Sequence, residues 1–187
     1  MTEHERLVQL LATRSARRGQ FVLASGRSST LYIDARLTTM SPEGLVLIGT
    51  LGLAAIDSAG WEVTAVGGLT LGADPIAYAI SYASARSPRP LRAFTVRKEA
   101  KSHGTGKRIE GPFERGDRVA IIEDVVTTGG SALKAMEAVR AEGGVVAGVL
   151  ALVDREEGGR EAIEQQDAPV RALVRATEIV ERLPAAS

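Results

Sequence analysis

Leu7, Leu10 and Leu11 recur at helical spacing, which predicts an amphipathic helix over residues 3 to 17. Phe21 to Leu23 and Leu31 to Ile33 are short apolar runs on either side of the turn-rich Ser25-Gly26-Arg27-Ser28-Ser29, a pattern that predicts a hairpin-like N-terminal feature. Ser41-Pro42 marks a helix start: serine can cap a free amide, and proline lacks the amide left unpaired at the first helical position. That helix is expected to reach about Gly60. The pattern then alternates. Val63 to Val66 reads as a strand, Gly67 to Gly72 as a glycine-rich turn, and Asp74-Pro75 as another helix start by the same cap logic. A short strand follows near Ala93 to Val96, then a long charged segment from Arg97 to roughly Gly116, then the apolar strand Val119 to Ile122. Ala132, Ala135, Met136 and Val139 share one face of a helix that Gly143-Gly144 should stop. Val145 to Val153 is a further buried strand, Glu161 to Gln165 a short helix and Val170 to Val174 a late strand. Strands alternating with helices define the α/β class, a mostly parallel sheet covered on both faces. Such sheets place ligands at the carboxyl ends of their strands, here the loops after residues 66, 96, 122 and 153.

Composition mainly excludes. The 187 residues, 44% hydrophobic and 25% charged, leave room for one medium domain. Lys and Arg number 23 and so do Asp and Glu, so no overall positive field gathers nucleic acid or an anionic membrane, and neither is expected as a partner. The absence of cysteine removes disulfides, thiolate metal sites and cysteine nucleophiles, and suits a reducing cytoplasm. The longest largely apolar stretch, Leu45 to Ile56, falls well short of the ~20 residues of a bilayer span. Glu3, His4, Glu5 and Arg6 ahead of the leucine stripe do not form a secretory signal, so this segment is expected in the mature fold.

The most informative stretch runs from Val119 through Glu123, Asp124, Val125, Val126, Thr127, Thr128, Gly129 and Gly130 to Ser131. An apolar strand leads into two carboxylates, then into small and hydroxylated residues opening a helix. Successive unobstructed amides at a helix N-terminus form a donor nest for a phosphate monoester, and Thr127, Thr128 and Ser131 add hydroxyls. Glu123 and Asp124 suit other work: accepting from the paired hydroxyls of a ribose, or helping to hold a hydrated metal ion. The bland alternative is a strand-to-helix turn capped by Ser131. No P-loop is present, because no lysine followed by Ser/Thr comes after the glycines, and the dinucleotide fingerprint fails on glycine spacing.

A second stretch, Arg97-Lys98-Glu99-Ala100-Lys101-Ser102-His103-Gly104-Thr105-Gly106-Lys107-Arg108, is cationic, glycine-containing and nearly free of apolar anchors. It reads either as a solvated mobile surface loop or as a lid whose cations close over a departing polyanion.

The first stretch resembles the phosphoribosyl-diphosphate (PRPP) motif of the type I phosphoribosyltransferases, and the second is similar in order to the catalytic loop of the orotate phosphoribosyltransferase family. Three further segments agree: Phe21 to Arg27 with Tyr32-Ile33-Asp34, Val66 to Pro75, and Asp154-Arg155-Glu156-Glu157. The resemblance spans roughly residues 20 to 160. It implies the type I phosphoribosyltransferase fold, a central mostly parallel sheet flanked by helices, in a single domain over residues 1 to 187. A small N-terminal hood would take residues 1 to about 40 and a mobile catalytic loop residues 97 to 113. It implies transfer of the phosphoribosyl group from PRPP to orotate, with Mg2+ held mainly through substrate and by no assigned protein ligand. Lys101, His103 and Asp124 would be catalytic. Arg97, Lys98, Lys101, His103, Thr70 and Gly72, with Glu123 through Ser131, would hold PRPP or pyrophosphate. Thr127, Arg155, Tyr32 and Ile33 would hold orotate, Arg155 through its carboxylate. The same resemblance implies a cytoplasmic homodimer whose catalytic loop reaches the partner's site. Two departures stand out: many bacterial members carry lysine where this chain has Ala24 and Leu71. Their absence implies either weaker PRPP binding or compensation by Arg27, Lys107 and Arg108. Transfer to another base, or a PRPP-sensing regulator that grips nucleic acid, stays open as an alternative.

Overall fold

The computed structural model describes residues 1–22, 28–99 and 108–183. Helix α1 (Glu3–Leu10) starts from a capping box between Thr2 and Glu5 and continues as a π-helical turn, Leu11–Ser15. The helix expected to residue 17 stops there, for two reasons. The apolar stripe ends at Leu11, and Ser15 is held by other partners: its buried hydroxyl bonds Thr38 Oγ1 at 2.7 Å and its carbonyl accepts from the Asp34 amide at 2.9 Å. Strand β1 (Ala16–Val22) then pairs antiparallel with β2 (Ser28–Ile33), the expected hairpin with a longer first arm. Helix α2 (Arg36–Thr39) is a single turn. Helix α3 (Pro42–Ser58) begins as expected, the Ser41 hydroxyl accepting from the Gly44 amide at 3.1 Å.

Strand β3 (Ala65–Leu69) corrects the sequence reading, which gave Gly67 and Gly68 to a turn. Both lie inside the strand, paired with β4, and are glycine there because neighbours crowd them. A Cβ at Gly67 would sit 2.6 Å from Phe94 Cδ2, and one at Gly68 would sit 2.7 Å from Ala73 Cβ. Helix α4 (Asp74–Ser84) has Ala73, not Asp74, at its cap position. Strands β4 (Arg92–Val96) and β5 (Ile109–Glu110) follow. Strand β6 (Arg118–Val126) extends four residues beyond the expected Ile122, so the acid pair belongs to the strand itself. Helix α5 (Gly130–Ala141), strand β7 (Val145–Asp154), helix α6 (Gly159–Glu164) and strand β8 (Val170–Arg175) match their expected positions closely. Helix α7 (Ala176–Arg182) was not expected.

The six-stranded sheet has the order β5-β4-β3-β6-β7-β8, and only the β4–β5 pairing is antiparallel. Successive side chains of its central strands enter opposite cores. Ile122 and Leu150 pack with Leu7, Ile48, Ile76 and Ile179 on the face of α1, α3, α4 and α7; Ile121 and Val149 pack with Met136, Val139 and Ile163 on the face of α5 and α6. Each such fully buried aliphatic contributes roughly 1.5–3 kcal/mol, and burial on both faces is what fixes the strand ends that carry the site. Among the described residues, no helix is long and apolar enough to cross a membrane.

Candidate active site

Strands β3 and β6 are hydrogen-bonded neighbours, so the loops leaving their carboxyl ends rise side by side. The end of β2 and the start of α2 face them across a cleft of about 330 Å³. One wall is Tyr32, Ile33, Asp34 and Arg36; the other is Thr70, Leu71 and Gly72, with Glu123, Asp124, Val125 and Ser131 beside them and Lys98 at the margin. Segments separated by some ninety residues therefore meet, and most of them were singled out from sequence.

The acid pair is unevenly placed. Glu123 is only 7% exposed. Burial, and then the like charge of Asp124, hold its carboxyl well above the ordinary range, favouring a bound proton. Asp124 is more open, and its Oδ1 accepts from the Val125 amide at 2.8 Å. Gly72 lies against it: a Cβ there would come within 2.6 Å of Asp124 Cγ, so glycine lets the β3 loop approach the acid.

That loop is anchored from behind. Thr70 Oγ1 donates to Asp74 Oδ2 at 2.7 Å and Thr95 Oγ1 donates to Asp74 Oδ1 at 2.9 Å. Asp74 thus bonds the loop and β4 instead of capping α4. The Thr70–Leu71 peptide is cis.

Beyond Asp124, Val126 is buried at the strand end, and Thr127, Thr128 and Gly129 turn the chain into α5. Gly129, at φ 79°, occupies the cap position of α5, and Gly130 is its first residue. Ser131 is therefore not the cap, and its side chain is left to the cleft. The turn is packed from below by Gly159, where a Cβ would lie 2.9 Å from the Gly129 nitrogen.

Arg155 follows β7, its amide donating to the Val126 carbonyl at 2.9 Å. Its guanidinium is buried, with Nη2 donating to Glu157 Oε1 at 2.6 Å and to Ser29 Oγ of the hairpin at 3.1 Å. Its Nε is buried with no hydrogen-bond partner among the described residues. Asp154 Oδ1 accepts from the Glu156 amide at 2.8 Å and its Oδ2 from Arg160 Nε at 3.0 Å, which fixes the turn carrying Arg155.

Arg97 pairs with Glu110 at 3.4 Å and its amide donates to the Arg108 carbonyl at 2.8 Å, so its side chain turns along β5. Lys101, His103, Ala24, Arg27 and Lys107 lie outside the described residues. Sequence reasoning missed Arg36, a cation on the cleft wall facing the acids. It forms a two-bond pair with Asp34, Nε–Oδ1 2.8 Å and Nη2–Oδ2 3.0 Å, and that pairing pulls the Asp34 carboxyl below its usual range. The available signal was the acid–x–arginine spacing directly after the Leu31–Ile33 run. Leu71 lines the cleft and is half exposed; Arg36 and Lys98 are the described cations that line it too.

A parallel sheet with a β-hairpin hood, a carboxylate pair at the end of β6 and a small-residue turn into α5 defines the type I phosphoribosyltransferase class. No protein-family model matches the chain. The orotate phosphoribosyltransferase of Aquifex aeolicus is 47% identical over 183 residues, covering 96% of this chain and 99% of that protein. Crystal structures of the Mycobacterium tuberculosis orotate phosphoribosyltransferase superpose with TM-score 0.83 at 41% identity in complex with Fe(III) dicitrate, and 0.80 at 38% identity in complex with PRPP; each covers at least 95% of this chain and 99% of the other. The chain belongs to the orotate phosphoribosyltransferase family, a family of pentosyltransferase enzymes.

Proposed function

We propose that the cleft catalyses transfer of the 5-phosphoribosyl group from PRPP to orotate, giving orotidine 5′-monophosphate and pyrophosphate for pyrimidine nucleotide synthesis. One observation carries this reading: the Glu123–Asp124 pair at the end of β6 shares a cleft with the Thr70–Gly72 loop and the first turn of α5. In this reading the carboxylates accept from the ribose hydroxyls, the amides and hydroxyls of the turn at residues 127–131 receive the 5-phosphate beyond Val125 and Val126 of the strand end, and Thr70, Gly72 and Lys98 receive the diphosphate, joined by Arg97 once it leaves Glu110. Orotate lies against Tyr32, Ile33 and Thr127, with its carboxylate on Arg155, whose planar fork suits that ion.

The bond from the anomeric carbon to the diphosphate breaks with its electron pair going to pyrophosphate, and the bond to the orotate ring nitrogen forms as that nitrogen gives up its proton to a pyrophosphate oxygen or to solvent. Charge grows on the leaving oxygens, so donors set around them lower the barrier most. Lys101 and His103 of the cationic loop have that role, delivered to the partner's site in a homodimer. The oxygen donors at Glu123 and Asp124 fit a hydrated hard cation. Among the described residues, no three His, Cys, Asp or Glu side chains gather as a metal cage. Mg2+ would be held mainly by substrate oxygens and water, with the acid pair at its waters. When bound, it neutralises diphosphate charge. Residues 1–187 act as one catalytic unit in the cytoplasm.

The test is direct: protein, PRPP and Mg2+ are mixed with orotate and the loss of orotate absorbance is followed, with adenine, guanine and uracil as rival acceptors. Orotate alone should be consumed. Preference for another base would overturn the reading.

A further inference from the structure

Within the protein itself the guanidinium of Arg155 already has an anionic partner. A carboxylate that binds arginine side-on takes Nε and Nη2 together. Here Nη2 donates to Glu157 Oε1 at 2.6 Å, whereas Nε is buried with no partner among the described residues. The resident acid thus engages half of the edge that a bidentate anion would fill, and the other half is a desolvated donor left without an acceptor. Ser29 Oγ of the β2 strand takes a second Nη2 bond at 3.1 Å and keeps the group against the hood. Glu157 is the more exposed partner of the pair, its side chain 23% exposed against 5% for Arg155.

We propose that Glu157 sets the affinity for the acceptor base: it holds the Arg155 edge within the protein itself, and the substrate carboxylate must displace it. This rests on the reading that Arg155 receives the orotate carboxylate. A ligand without a carboxylate has no means of displacing Glu157, so the resident pair keeps the charge of Arg155 matched against neutral rings. An orotate carboxylate satisfies both Nε and Nη2 and releases Glu157 from the Arg155 edge. Glu157 is then a determinant of specificity that opposes binding, unlike the other polar groups of the corner, which support it.

The test compares Glu157→Gln, Arg155→Ala and the unaltered protein by steady-state kinetics. Glutamine keeps an acceptor oxygen at the same reach, so Arg155 stays in place while the competing charge is gone. The KM for orotate should fall about threefold to tenfold in Glu157→Gln, the range of one partly screened charge contact, with the KM for PRPP unchanged. A role confined to holding the turn together would instead raise the orotate KM or move both constants. An unchanged or raised orotate KM in Glu157→Gln, together with a raised one in Arg155→Ala, overturns the proposal but leaves Arg155 as the base anchor. An unchanged orotate KM in Arg155→Ala removes Arg155 from the base site and the proposal with it.

Discussion

Each end of the parallel sheet buries a carboxylate, and the two are treated in opposite ways. At the amino ends of β3, β4 and β6, Asp117 is 6% exposed and fully engaged. It contacts the Arg92 guanidinium, accepts from Thr64 Oγ1 at 2.8 Å and accepts from the Glu114 amide at 2.8 Å. At the carboxyl ends, Glu123 is buried to nearly the same degree, and the one charged group among the described residues that shifts it is Asp124, of like sign. A buried acid with every lone pair answered locks strands together. A buried acid beside a second acid and an open cleft keeps its acceptor capacity for a ligand, at a cost in stability. Burial alone does not separate the two ends; the sign of the neighbours does.

The largest effect that sharpens this contrast is on turnover. Asp124→Asn should lower kcat/KM ~100-fold or more while leaving the melting temperature unchanged or higher, because it removes like-charge repulsion. Lys101→Ala should lower kcat by ~100- to 1,000-fold, far more than it weakens PRPP binding. Mixed after joint unfolding and refolding, these two variants should recover about a quarter of normal activity if each site of a dimer takes its loop from the other subunit. No recovery would argue against a shared site.

Next in size is the opposite end. Asp117→Ala removes the acceptor of Arg92 Nη2, the closer of two acceptors of the Thr64 hydroxyl and that of the Glu114 amide, and should cost about 2–4 kcal/mol in chemical denaturation. Its turnover per folded molecule should be unchanged; a matching loss of kcat would erase the distinction between the two ends. Asp74→Asn should act between these extremes. It weakens the hold on Thr70 and Thr95, and is expected to raise the KM for PRPP several-fold with a smaller change in kcat. Calorimetric binding of pyrophosphate gives the same comparison without turnover.

The smallest effect is a pH dependence. The folded Glu123 carboxyl titrates above its ordinary 4.5, so folding favours its protonated form. That contribution is fully present below about pH 4.5 and is lost as pH rises through the folded value. Glu123→Gln does not titrate. The stability of Glu123→Gln relative to the unaltered protein should therefore increase as pH is raised from 4.5 towards neutrality, by thermal denaturation at each pH. A difference independent of pH would mean that Glu123 is not held protonated by its surroundings.

Much of the architecture was legible because the two-faced burial of central strands produces continuous apolar runs, as in Val119–Ile122 and Val145–Val153. The same runs understated β6. Its last four residues include two acids, and an acid-bearing strand end does not read as strand until a neighbouring loop with glycine at position 72 makes room for it. Gly67 and Gly68 read as a turn because glycine signals both freedom and close approach, and only Phe94 and Ala73 reveal which applies. Helix α7 was missed because it has seven residues and buries only Ala176 and Ile179, too few for a period to emerge. At the site, contiguous motifs were legible and isolated partners were not. Glu123, Asp124, Thr70, Gly72 and Lys98 announced themselves through their neighbours in sequence. Arg36 did not, because its place opposite the acids depends on how the hairpin folds over the sheet.

The central claim is that the acid pair at the end of β6 and the first turn of α5 grip a ribose 5-phosphate. A crystal structure of the protein with PRPP and Mg2+ tests it most directly. The ribose hydroxyls should lie within hydrogen-bonding distance of Glu123 and Asp124, with the 5-phosphate on the amides of residues 127–131. PRPP bound elsewhere, with those residues unengaged, would contradict it.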